Sequence, residues 1–173
     1  LVADSTAVAR RRRGEEWELL LDITPFYAEG GGQVGDRGRL TDAAGVPFEL
    51  AAVVKADGLH VHRVRPRAGA EPGPGPYRAE VDLEARRGTE RNHTATHLLH
   101  AALKRHVGTH VTQAGSLVAP DRLRFDFHHF SALTPAQIRA VEDDVNQAIL
   151  ADHPVNKEVT SMDEARKAGA TAM

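Results

Sequence analysis

Cysteine is absent from the 173 residues. Disulfides are therefore excluded, and a metal site can draw only on histidine and carboxylates unless it borrows ligands from elsewhere. Aromatic residues are few, at 5%, so a core has to rest mainly on aliphatic side chains. No apolar run approaches the roughly 20 residues of a membrane-spanning helix, and the N-terminus carries no signal-peptide pattern. An excess of either charge is also lacking: 22 Lys and Arg face 24 Asp and Glu, for a formal net charge of -2. That balance argues against bulk attraction to nucleic acid but leaves room for a local basic patch. With 41% hydrophobic and 27% charged residues, the composition is that of an ordinary globular protein of one medium domain or two small ones. The chain opens on Leu1 and closes on Met173 after a helix-like stretch, and it reads as a piece of a longer protein.

Residues 1–85 read as a small antiparallel β-barrel. Strands are expected at Glu16–Ile23, Phe48–Lys55, Gly58–Val64 and Pro76–Val81, punctuated by Gly and Pro. Arg10 to Arg13 is a basic run, read as a solvated edge. The loop Thr24–Asp36 contains Gly30, Gly31 and Gly32 in succession, followed by Gln33. Three glycines let backbone N–H groups approach a phosphate or carbonyl, and they equally suit a tight turn. No Lys-Ser or Lys-Thr follows them, so the loop is not a Walker motif.

Residues 86–173 read as an α+β half. A helix is expected from about Thr89 to His106, with Thr89 as N-cap and Gly108 as the stop; Asp82 is an alternative cap. His93 and His97 stand four apart on one face, with His100 close to the same line. Ala95, Leu98, Leu99, Ala102 and Leu103 form the opposite, core-facing stripe. Two histidines at this spacing suit a helical metal half-site or simply a polar face. The zinc-protease signature requires Glu between them where Thr94 stands, which removes that reading. A hairpin is expected from Thr109–Val118 and Leu123–Phe127. Thr134-Pro135-Ala136-Gln137 starts a helix that buries Ile138, Val141, Val145, Ala148 and Ile149. Pro154–Thr160 reads as a strand, and Ser161 to Glu164 as a second capping box.

Four motifs in order resemble the editing domain of bacterial alanyl-tRNA synthetase and its free-standing relatives. They are Thr24 to Asp36, Arg91 to His100, His110 to Val118, and Leu123 to Phe127. The resemblance implies an α+β fold, a β-barrel followed by an editing core of helices on an antiparallel sheet. It implies hydrolysis of the ester of tRNA(Ala) mischarged with serine or glycine, at a cytoplasmic synthetase that uses ATP. A second site of that kind is needed because one methyl group yields only about 1–3 kcal/mol of discrimination. By the same resemblance, Thr96 and Gln113 shape the catalytic pocket. Gly30, Gly31, Gly32 and Gln33 lie at its mouth and bind substrate. His93 and His97 hold zinc together with a later Cys-x-x-x-His that this sequence lacks, so only half of the family's zinc site is present. The partners implied are the tRNA(Ala) acceptor end and the rest of the parent synthetase, with no membrane. Two alternatives stand beside this reading: an acceptor-end binding fragment, inactive without the missing segment, and a small hydrolase of another substrate.

Overall fold

The computed structural model describes residues 1–67, 69–156 and 158–170. By contact density the chain divides into two compact units. One comprises residues 1–94 with 116–124, and the other residues 95–115 with 125–173.

The first unit is built on seven strands: β1 (Val2–Ser5), β2 (Ala7–Arg13), β3 (Glu16–Leu21), β4 (Gly38–Asp42), β5 (Pro47–Ala56), β6 (Leu59–Pro66) and β7 (Tyr77–Val81). Their order is β1-β7-β4-β5-β6-β3-β2, and the pairings are antiparallel. The expected small antiparallel barrel is thus corrected to an open, half-barrel sheet with β1 and β2 at its edges. Four expected strands are present. β1, β2 and β4 were not foreseen, because β2 is mostly arginine and the other two are short, with little alternation. Edge position makes β2 viable: exposed charges discourage further strand pairing.

One face of this sheet forms an aliphatic and aromatic core that includes Leu19, Leu40, Phe48, Val53, Val64 and Tyr77. In β5 the buried residues fall at Phe48, Leu50 and Val53, a spacing of two and then three. The register shift between Leu50 and Ala52 absorbs the extra residue and returns Val53 to the core side. His62 is wholly buried in the same layer. Its Nε2 lies 2.7 Å from Thr24 Oγ1 and its Nδ1 3.2 Å from the Leu19 carbonyl. Burial pushes its pKa down to about 4, so the ring is neutral at pH 7.

Helix α1 (Leu83–His106) begins six residues earlier than Thr89. Asp82 is the operative cap, with its Oδ1 accepting from Ala85 N–H at 3.0 Å. Thr89 instead bonds back to the Ala85 carbonyl from within the helix. Gly88 is accommodated because the Pro120 backbone lies alongside it: an added Cβ would meet Pro120 O at 2.5 Å. The stop at Gly108 is as expected, with Gly108 N–H reaching the Leu103 carbonyl.

The second unit has its own core, formed by Ala102, Leu103, Val111, Phe125 and Val141. Strands β8 (Gln113–Val118) and β9 (Leu123–Phe127) make the expected hairpin, a two-stranded sheet whose first strand begins four residues later than Thr109. Helix α2 (Pro135–Leu150) carries the full Thr134/Gln137 capping box. Of its expected stripe, Val141 is buried and Val145 packs against the core, whereas Ile138 and Ile149 are exposed. Helix α3 (Met162–Lys167) is capped by Ser161 and Glu164. Among the described residues of Pro154–Thr160 there is no strand.

Candidate functional site

The glycine-rich loop is a tight turn anchored at three points. Gly30 and Gln33 exchange backbone hydrogen bonds of 3.1 and 3.0 Å. Gly31 and Gly32 both have positive φ, at 60° and 79°. Two successive left-handed residues are strongly disfavoured without glycine, as in a type I′ turn. Gly32 has a second reason to lack a side chain. Its Cβ would fall 2.6 Å from Ser116 O, where the loop joins the hairpin arm through Val118 N–H to Gly32 O (2.8 Å) and Val34 N–H to Val118 O (3.0 Å).

The base of the loop is held by Asp36. Its carboxylate accepts from Tyr27 N–H at 2.7 Å and from Arg86 Nε at 2.7 Å. A second guanidinium contact makes the pair bidentate, and Arg86 also reaches the Pro25 carbonyl at 3.3 Å. Both side chains are largely buried. The hydrogen bond to Asp36 raises the Arg86 pKa further above its ordinary value. A third tie comes from Thr24, whose hydroxyl contacts His62 and accepts from Phe26 N–H.

Gln33 and His93 are brought together. Gln33 Oε1 stands 2.6 Å from His93 Nδ1, and because an amide oxygen only accepts, Nδ1–H is the donor. Next to His93, Asn92 Nδ2 donates to the Ala119 carbonyl at 2.7 Å and fixes this turn of α1 to the hairpin turn. The loop therefore presents Gly30 to Gln33 and His93 as one polar group on a rigid base. A cleft of about 320 Å³ opens in the same unit, lined by Glu29, Asp36, Arg37, Pro120 and Arg122 among others.

The other expected site residues lie in different settings. Thr96 is buried in α1, and His97 is exposed one residue on. Gln113 is exposed at the start of β8. His100 is a core residue, with its ring 5.2 Å from that of Phe125. Among the described residues no three of His, Cys, Asp and Glu cluster closely enough to hold a metal ion. The residues present do not make up the ligand set that zinc requires, so no step is derived through zinc. Sequence reasoning missed the Asp36–Arg86 clamp: the pair stands 50 residues apart, and neither residue belongs to a periodic pattern.

Residues 1–73 match the family described as tRNA synthetases class II (A). Over 161 residues the chain is 52% identical to the alanine–tRNA ligase of Pelotomaculum thermopropionicum, covering 92% of this chain and 18% of that protein. Over 174 residues it is 47% identical to the ligase of Acetivibrio thermocellus and 49% to that of Halorhodospira halophila, covering 100% of this chain and 20% of each. The chain corresponds to a segment of alanine–tRNA ligase. It spans about a fifth of the length of the curated relatives it matches.

This corrects the expectation of an editing domain. The matching family model is that of the class II ligase, and it covers strands β1 to β6 and the glycine-rich loop on which that expectation partly rested. Of the four motifs that carried the resemblance, only Thr24–Asp36 falls within the matched residues. The assignment of hydrolysis of mischarged tRNA(Ala), with its acceptor-end alternative, is withdrawn with it. The similarity to alanine–tRNA ligase itself agrees with the parent protein that the motifs suggested. Among the described residues no helix is long and apolar enough to cross a membrane.

Proposed function

We propose that this chain is the part of an alanine–tRNA ligase that contributes to joining alanine to its tRNA by contacting tRNA(Ala), and that it does so in the cytoplasm. The supporting observation is identity of 47–52% to alanine–tRNA ligases over nearly the whole chain. Within the chain, the Gly30–Gln33 turn and the His93 side chain form a polar group on a clamped base. Rigid polar groups of this kind position RNA without carrying bond chemistry of their own.

The test is a fluorescence-anisotropy titration of labelled tRNA(Ala) transcript with the 173-residue chain, beside a tRNA of different identity. Saturable binding that favours tRNA(Ala) is expected. Failure to bind any tRNA at low salt would remove the proposal.

A further inference from the structure

The basic run Arg10–Arg13 reads from sequence as a solvated edge, but the strand register gives it a different meaning. Cross-strand partners share a face of the sheet. Arg11 stands opposite Glu18, and Glu18 opposite Arg63. Arg13 stands opposite Glu16, and Glu16 bonds Arg65 at 2.9 Å. The outer face of β2, β3 and β6 thus carries four arginines over two glutamates.

The two kinds of charge differ in exposure. The Glu18 side chain is only 9% exposed and that of Glu16 26%. The arginines above them are open to solvent, at 77% for Arg11, 57% for Arg13 and 60% for Arg65, with Arg63 at 31%. Glu18 accepts from Arg11, from Arg13 at 2.9 Å and from Arg63 at 3.3 Å. Its carboxylate acts as a hub that holds three guanidinium planes in place. A guanidinium held on one edge by a carboxylate keeps other N–H groups available. The face therefore presents fixed, pre-ordered donors with two net positive charges, on a chain whose overall charge is slightly negative.

We infer that the outer face of β2, β3 and β6, bearing Arg11, Arg13, Arg63 and Arg65, binds the sugar–phosphate backbone of RNA. This rests on the proposed contact with tRNA(Ala) and locates a surface for it. Arginine suits phosphate through its planar, bidentate fork. An extended face of an exposed sheet offers donors along a line, as a backbone of regularly spaced phosphates requires. Such contacts position the RNA and carry no sequence information, so identity has to be read elsewhere.

The experiment measures tRNA(Ala) affinity against salt, from about 50 mM to about 200 mM. Two to four phosphate contacts predict a log–log slope of about -2 to -4. Arg13→Gln and Arg65→Gln are the test changes, because Glu18 then keeps Arg11 and Arg63. Each is expected to reduce the slope by about 1 and the pair by about 2. Lysine at all four positions is expected to keep the slope, and Arg139→Gln on α2 to leave it unchanged. Circular dichroism checks that each variant folds, and the single changes carry the test if the pair does not. Wild-type slopes in folded Gln variants would overturn the inference while leaving tRNA binding intact. Equal competition by polyglutamate or phosphatidylserine vesicles would also overturn it, by showing a generic anion surface. Absence of tRNA binding by the wild-type chain would defeat both this inference and the reading on which it rests.

Discussion

Arg86 and Asp36 form a bidentate ion pair that joins the first turn of α1 to the end of the glycine-rich loop. The Asp36 carboxylate also accepts from Tyr27 N–H. Removing either partner leaves an uncompensated charge in a largely buried setting. Asp36→Ala and Arg86→Ala are each expected to cost about 3–5 kcal/mol in urea unfolding. The double change is expected to cost much less than the sum. Additive losses would show that the two side chains do not act as a unit.

Gln33 orients the His93 ring through its Nδ1. The amide oxygen Oε1 only accepts, so at 2.6 Å the Nδ1–H of His93 donates to it. Nitrogen NMR on the imidazole is expected to show a protonated Nδ1, and Gln33→Ala to shift the population away from that form. An unchanged ring spectrum in the variant would remove Gln33 as the group that orients His93.

Gly31 and Gly32 are expected to differ in their tolerance of alanine. Both have positive φ, so each substitution carries about 1–2 kcal/mol of backbone cost. Gly31 faces open space, and the cost there stops at that. Gly32 faces Ser116 O at 2.6 Å from an ideal Cβ, so Gly32→Ala is expected to cost distinctly more and to loosen the loop from the hairpin arm. Thermal unfolding of the two variants gives the comparison, and equal losses would refute the close approach.

His62 makes stability depend on pH in a defined window. Its folded pKa of about 4 lies below the ordinary value of 6.5, so between these values the unfolded chain binds more protons than the folded one. Stability is then at its full value above about pH 6.5 and falls as pH drops toward 4. A shift of this size corresponds to about 3 kcal/mol. His62→Gln is expected to start from a lower stability at pH 7 and to flatten the profile in that window. Denaturant midpoints measured across the window test it, and a slope persisting unchanged in the variant would assign the effect to other groups.

Much of the candidate site was legible in sequence as parts but not as an arrangement. Gly30 to Gln33 announced a turn or a close approach, and the structure has both. His93 announced an imidazole on a helix face. That Gln33 would be its neighbour was not legible, because the two stand 60 residues apart and the contact depends on how α1 meets the loop. The His93/His97 spacing suggested metal, yet spacing along a helix says nothing about which other ligands converge. Thr89 was a sound cap by residue type, but Asp82 prevailed because the helix extends through Gly88 past the Pro120 backbone, a contact that only the tertiary structure supplies.

The sequence by itself determined the local elements whose causes are local. The capping boxes at Thr134 and Ser161, the stop at Gly108 and the half-buried alternation of Leu123 to Phe127 each follow from a few adjacent residues, because hydrogen bonds and side-chain period act over one or two turns. Through similarity it also determined the relationship to alanine–tRNA ligase. The tertiary structure alone decided that the sheet stays open and that β2, four of whose seven residues are arginine, is its edge. It alone decided that Arg11 and Arg13 of that strand gather with Arg63 and Arg65 over Glu18 and Glu16. These outcomes depend on which strands pair and in which register. Register is set by the burial of one face against a shared core, a cooperative choice that no single stretch of sequence makes.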